Sequence, residues 1–114
     1  MKFTNDANVN MTSSKGEFPI TYSELVEIFG RPKYGPNDHN LDKTTCEWAL
    51  TFEDGTIATI YDYKVGYTPM GEYEWHIGGH DAQAYTHIVD CIIQHRDKLV
   101  KMIRDYKPSE SVTG

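Results

Sequence analysis

Two runs of alternating polar and apolar residues meet at Asp54-Gly55, and this arrangement constrains the fold more than any other feature of the chain. The segment reads CEWALTFEDGTIATIYDYK and covers residues 46 to 64. An Asp-Gly pair between two alternating runs is the strongest short-range indication of a β-hairpin. We therefore predict two antiparallel strands joined by a two-residue turn.

A two-residue turn would also fix the register of the hairpin. Trp48 would then face Tyr61 on an apolar side, while Glu47 would face Asp62 on the opposite, polar side. Carboxylates placed directly opposite each other repel, so Lys64, water or a cationic partner would relieve them. The carboxylates predicted to form this acidic sheet face are Glu47, Glu53, Asp62 and Glu74.

The stretch EYEWHIGGH, residues 72 to 80, predicts a third strand. Tyr73, Trp75 and Ile77 alternate with polar residues, which indicates a half-buried strand that extends the apolar side of the hairpin. Gly78 and Gly79 are expected to break this strand in a turn.

A glycine-rich turn that leads into a helix can offer backbone N–H groups to phosphate. The sequence here matches neither the Walker pattern nor the dinucleotide fingerprint, so a purely structural turn with positive φ is the alternative. Tyr34 and Tyr67 lie in two long loops, where an aromatic ring can stack on a base. The candidate ligand-binding residues are His76, Gly78, Gly79, His80, Tyr34 and Tyr67.

Two helices are predicted on either side of the strands. In TYSELVEIFGRP, Thr21 is an N-cap with Glu24 three residues later as its capping-box partner, and Gly30 followed by Pro32 ends the helix. Residues 82 to 106 carry a broad apolar stripe, with Asp81 as a plausible N-cap. Such a helix would be nearly 40 Å long, roughly one and a half times the length of the strands. Its distal half would overhang the sheet and need another partner: the N-terminal segment, the short helix or a second protomer. Of these we expect a homodimer through this helix.

The N-terminal residues and the long loop allow further predictions. Short strands are predicted around residues 2 to 4 and 9 to 12, with a turn at Gly16. In the loop of residues 31 to 45, Asp38, Asn40 and Asp42 imitate a calcium loop, but Ala49 stands where the closing Glu is required. We therefore expect Asx turns and no bound calcium.

Histidine and cysteine recur along the last helix at His87, Cys91 and His95. Spacing of four residues would allow a neighbouring pair to chelate, but the two ends lie about 12 Å apart along the axis. Without a fourth ligand, a metal is not expected. Both Cys46 and Cys91 sit in apolar settings, which do not favour a reactive thiolate.

Composition limits the partners that the chain is expected to have. Acidic residues outnumber basic ones 17 to 11 and the formal net charge is −6, which disfavours nonspecific binding to nucleic acid or to anionic membrane. No signal peptide and no apolar run of about 20 residues is evident. The two cysteines are expected to be reduced thiols, and the chain to be cytoplasmic.

Three segments, TYSELVEIFGRP, CEWALTFEDGTIATIYDYK and EWHIGG, together resemble a family of small proteins encoded by bacteriophages and prophages. The resemblance spans most of residues 20 to 80 and carries over no functional residues. It implies a small viral accessory protein in the host bacterial cytoplasm that inhibits or sequesters a host component.

The predicted fold is α+β: a small antiparallel sheet of three to five strands, with a short helix and a long C-terminal helix packed on one face. Residues 1 to 107 are predicted to form one domain and residues 108 to 114 a disordered tail. The favoured function is non-enzymatic binding of a nucleotide-derived immune signal, without a cofactor. The alternatives are a protein–protein inhibitor acting through the acidic sheet face, and a small hydrolase that uses His76.

Overall fold

The computed structural model describes residues 2–35 and 44–106. They form one antiparallel sheet in the order β1-β3-β4-β5-β2, with one short and one long helix. The strands are β1 (Phe3–Thr4), β2 (Ser13–Ile20), β3 (Glu47–Phe52), β4 (Ile57–Tyr61) and β5 (Tyr73–Gly79), and the helices are α1 (Tyr22–Phe29) and α2 (Gln83–Arg104). The predicted α+β fold is confirmed. The predicted tail and the imitation of a calcium loop at Asp38, Asn40 and Asp42 lie outside the described residues.

The hairpin forms, but its predicted register is wrong by one residue. Glu47 pairs with Tyr61, and Trp48 pairs with Ile60. The turn holds three residues, 53 to 55, instead of two. Two hydrogen bonds define it: Phe52 N donates to Thr56 O at 2.8 Å, and Gly55 N donates to Phe52 O at 2.8 Å. Gly55 adopts a φ of 91°, the left-handed conformation that such three-residue loops require.

This shift moves Tyr61 and Asp62 to the opposite sides from those predicted, because side chains alternate along a strand. The core side of the sheet carries Trp48, whose ring meets Trp75 edge-on with centroids 5.6 Å apart. Trp48 also donates from Nε1 to the carbonyl of Gly30 at 2.8 Å, which fixes the end of α1 over the sheet. The largest buried core residues on the sheet are Ile20, Trp48, Leu50, Phe52, Ile60, Trp75 and Ile77.

The third strand alternates as predicted, but the glycines do not interrupt it. Trp75 and Ile77 are buried and Glu74 is exposed. Gly78 and Gly79 are the last two residues of β5 and pair with β4 on one side and β2 on the other. The predicted glycine turn is therefore wrong, and neither residue has a positive φ.

The N-terminal part also differs from the prediction. Residues 9 to 12 are not a strand, and Gly16 lies inside β2 at a register shift instead of in a turn. The ring of Tyr85 from α2 occupies the space beside Gly16, 2.6 Å from where a Cβ would stand. Residues 5 to 7 cross the side of the sheet opposite α2, where Thr51 Oγ1 donates to Asp6 O at 3.0 Å.

Helix α1 begins at the predicted N-cap and ends at the predicted glycine, but the side chain of Glu24, predicted to complete the capping box, bonds Arg96 instead. Thr21 Oγ1 accepts a hydrogen bond from Glu24 N at 3.2 Å, and Gly30 ends the helix with a φ of 81°. Glu24 also receives two hydrogen bonds from Arg96 of α2, at 2.8 and 3.0 Å. The two helices are thus joined by a bidentate ion pair at the edge of the core.

Helix α2 packs on the sheet through its first half only. Asp81 Oδ1 accepts from Gln83 N at 2.9 Å, so this carboxylate caps the helix from a position just before Ala82. Ala84, Ile88 and Ile92 are fully buried, whereas the apolar residues beyond Arg96 are exposed. Within residues 2–35 and 44–106, no helix is both long and apolar enough to cross a membrane.

Candidate ligand pocket on the open face of the sheet

Four side chains form a row across the face of the sheet that α2 leaves uncovered. The registers place Glu47 of β3 beside Tyr61 of β4, Tyr61 beside His76 of β5, and His76 beside Glu17 of β2. The Tyr61 and His76 rings stack at 5.4 Å with an interplanar angle of 18°. His76 Nδ1 lies 3.3 Å from Glu17 Oε2. A carboxylate therefore stands at each end of a stacked Tyr–His pair.

A pocket of about 240 Å³ opens beside this row. One wall comes from the chain that precedes β2, the opposite wall from the chain around β3, and the floor from Thr59 of β4 and Gly78 of β5. The lining residues are Val9, Thr12, Ser13, Thr44, Glu47, Thr59, Tyr61, Tyr63 and Gly78. Pockets for drug-sized ligands measure roughly 300–1,000 Å³, so this one suits a group the size of a nucleobase or an amino acid.

The floor of the pocket depends on the missing side chain of Gly78. A Cβ at this position would lie 2.6 Å from Thr59 Oγ1 and 3.4 Å from the Tyr61 ring. The absence of a side chain lets Thr59 and Tyr61 lean over β5. Gly78 thus contributes space to the pocket, while its backbone stays between two neighbouring strands.

Glu47 is the one charged residue among the described residues that line the pocket. Burial raises the pKa of this carboxyl above its usual range, and the positive charge of Lys33 acts in the opposite direction. The backbone of Glu47 is fixed by Tyr34, through hydrogen bonds of 2.9 Å from Glu47 N and 3.2 Å to Glu47 O. A partly desolvated carboxylate of this kind binds hydrogen-bond donors more strongly than an exposed one does.

Tyr61 forms an aromatic wall that other rings hold in place. Burial raises the pKa of its phenol, against the effect of a hydrogen bond with Ser14. His76 lies behind the Tyr61 ring, and Tyr63 meets His76 edge-on at 6.0 Å. His76 is therefore a positioning residue for the wall instead of a lining residue.

The buried carboxylate of Asp62 fixes the wall that contains Thr44. It accepts hydrogen bonds from the backbone N–H groups of Thr45 at 2.7 Å and Cys46 at 3.2 Å. The Thr45 hydroxyl also bonds Asp62 and lies 2.6 Å from Thr68 Oγ1. Asp62 thus has a structural role, because the hydrogen bonds that it accepts compensate for its burial.

The predicted ligand-binding residues are only partly brought together. Gly78 lines the pocket and His76 supports it, whereas Gly79 faces Ala84 of α2 and His80 is exposed after β5. Tyr34 is paired with the backbone of Glu47. Tyr67 is 77% exposed in its loop.

The predicted acidic sheet face does not form as a continuous surface. Asp62 is fully buried, because the one-residue shift turns it towards the interior. Glu47 lies in the pocket, Glu53 is in the hairpin turn, and Glu74 is exposed on β5. The four carboxylates therefore belong to different environments.

No sequence pattern indicated that several of these residues would line a pocket. Tyr61 was expected in the core, and the hydroxyl-bearing residues Thr12, Ser13 and Thr59 gave no motif at all. The alternation in ATIYDY would have placed Tyr61 beside Glu47 if a three-residue turn had been assumed.

The thiols and histidines outside the pocket take structural positions. Cys46 and Cys91 are free, and burial above all raises the pKa of both, to about 12 for Cys46. His87 Nε2 bonds Asp54 Oδ2 at 2.7 Å, and His95 Nε2 lies 3.5 Å from Glu27 Oε1. In the part of the chain that the structure describes, no cluster of three metal-binding side chains occurs.

Comparison of the chain with protein-family models, curated proteins and solved structures yielded no match. The chemistry of the pocket is therefore the basis on which a function can be argued.

Proposed function

We propose that the chain is a non-enzymatic binding protein whose pocket holds the base of a small nucleotide-type ligand. The observation that carries the proposal is Glu47, a half-buried carboxylate beside the rings of Tyr61 and Tyr63. Aromatic walls favour a planar group, and a carboxylate favours one that donates hydrogen bonds.

Guanine is the base that fits this chemistry best. Its N1–H and amino group are adjacent donors, so they can form two parallel hydrogen bonds to one carboxylate. The hydroxyl groups of Thr12, Ser13 and Thr59 can bond the remaining polar atoms. A phosphate would not lie next to Glu47, since the charges repel. It would point outward towards Lys15, whose Nζ is 3.0 Å from Ser13 Oγ.

This assignment changes which residues are expected to contact the ligand. Base stacking is assigned to Tyr61 and Tyr63 in place of Tyr34 and Tyr67. Phosphate binding is assigned to the rim of the pocket in place of Gly79 and His80. In the setting implied by the resemblance to phage proteins, binding would sequester a nucleotide signal of the host's defence.

Isothermal titration with guanine, adenine, cytosine and uracil nucleosides, and with their monophosphates, tests the proposal. We expect guanine compounds to bind most tightly, and Glu47→Gln to weaken them about 10- to 100-fold, because a charge-assisted hydrogen-bond pair is lost. Protonation of Glu47 should also weaken binding. Because burial raises the pKa of Glu47, this loss should begin at a higher pH than it would for an exposed glutamate.

Glu74→Gln is the matched control, because Glu74 is an exposed carboxylate on the adjacent strand β5 and lies outside the pocket. It should leave the affinity unchanged. Equal losses in the two variants, or no binding of any nucleoside, would contradict the proposal.

A hydrolase is the second candidate, favoured by the His76–Glu17 pair at the end of the row. A carboxylate at Nδ1 orients an imidazole so that Nε2 can take a proton. Under this alternative, His76→Ala would abolish turnover of a bound nucleotide without unfolding the protein. Under the binding proposal, the wild-type protein releases the ligand unchanged, which chromatography of the recovered ligand would show.

A further inference from the structure

The apolar stripe of α2 continues beyond the sheet that covers its first half. Ile88 and Ile92 are buried against the strands, whereas Leu99, Met102 and Tyr106 are 38%, 61% and 71% exposed. We call residues 99 to 106 the arm. Arg96 is the last residue of α2 with an ion pair to α1 among the described residues, so the arm begins where the packing against this domain ends.

The residues of the stripe have the spacing of a coiled-coil seam. Within α2, successive members are four, three, four and three residues apart: Ile88, Ile92, His95, Leu99 and Met102. Tyr106 follows four residues later, just past the end of the helix. Apolar residues at this spacing form a seam that packs against another helix with the same pattern. On the arm, the charged residues Lys101 and Arg104 lie on the opposite side of the helix.

The charges beside the seam show which partner fits. If two arms pack antiparallel with Leu99 of each copy beside Met102 of the other, Lys98 of each copy lies beside Asp105 of the other. The two-fold axis therefore relates two identical Lys98–Asp105 ion pairs, as a self-complementary interface requires. A parallel arrangement would instead place Lys98 of each copy beside Ile103 of the other, so these ion pairs would not form.

We propose that two copies of this chain associate through their arms as an antiparallel helix pair. The contact is independent of the nucleotide pocket, which lies on the face of the sheet away from α2. Because the seam of the arm is only about two turns long and stable interfaces bury roughly 1,200–2,000 Å², the dimer should form and dissociate with protein concentration.

Sedimentation equilibrium of the full chain from micromolar to millimolar concentrations tests the proposal. We expect a reversible monomer–dimer equilibrium for the wild type. Met102→Glu should weaken it about tenfold or more, because it buries a charge in the seam. Val100→Glu is the matched control: Val100 is similarly exposed, at 56%, but lies off the seam, so the equilibrium should be unchanged.

Charge reversal tests the antiparallel register itself. Lys98→Glu alone, or Asp105→Lys alone, should weaken the dimer roughly fivefold to thirtyfold, because each substitution changes two symmetric ion pairs. The double variant should restore the wild-type equilibrium. A wild-type protein that stays monomeric at millimolar concentration, or a double variant as weak as the single ones, would overturn the proposal. Circular dichroism of each variant verifies that the fold is intact.

Discussion

Gly79 sets how closely α2 approaches the sheet. A Cβ at this position would stand 2.3 Å from the Cβ of Ala84 and 2.9 Å from the carbonyl oxygen of Ile57. The sequence showed two glycines before a helix, which is also the pattern of an anion-binding turn. It could not show that the glycines were paired on both sides, because the order of the strands depends on residues far apart in the chain.

We predict that Gly79→Ala lowers the free energy of unfolding by about 2–3 kcal/mol, since an added methyl group in a closely packed core forces its neighbours apart. Denaturation in urea, followed by tryptophan fluorescence, measures this change. Gly71→Ala is the control, because a Cβ at Gly71 would meet nothing within 4 Å. A Gly79 variant no less stable than this control would show that the helix does not pack as closely as described.

The turn between β3 and β4 is joined to α2 by Asp54 and His87. Two hydrogen bonds lower the pKa of Asp54 from 3.8 to about 2. The one from His87 has the larger effect, and the one from the backbone of Thr56 has the next largest. A lowered pKa in the folded state means that ionised Asp54 contributes stability above pH 3.8. This contribution is lost as the pH falls towards 2.

We therefore expect Asp54→Asn to be less stable than the wild type at pH 5, with a difference that shrinks below pH 4 and disappears near pH 2. Denaturation curves of both proteins across this range measure the effect. Asp97→Asn, which changes an exposed carboxylate of α2, should show no comparable convergence. A difference for Asp54→Asn that stays constant with pH would refute the role of its charge.

The same turn shows the limit of prediction at the scale of an element. Asp54-Gly55 correctly indicated a hairpin, and the alternation in each strand correctly indicated which residues share a side. The number of residues in the turn was wrong, because two- and three-residue loops accept the same Asp-Gly pair. One residue of difference moved Tyr61 from the expected core to the pocket.

At the scale of the whole molecule, the described chain consists of a packed sheet-and-helix body and the arm. The buried core residues of α2 end at Ile92. Amide groups of β3, β4, β5 and the first half of α2 are therefore expected to exchange hydrogen most slowly. In the monomer, amides of the arm should exchange orders of magnitude faster. Hydrogen exchange of the Met102→Glu variant measures this difference, and equally slow exchange in the arm would contradict it.

The sequence by itself determined the local features: the strands around Asp54-Gly55, the capped helix that begins after Thr21, and a last helix too long for the sheet. These features depend on neighbouring residues, so periodicity and capping are sufficient to predict them. Only the tertiary structure decided the register, the central position of Gly78 and Gly79, and the pocket that joins Glu47 to Tyr61. These features depend on contacts between distant segments, and a shift of one residue in a strand exchanges its two faces.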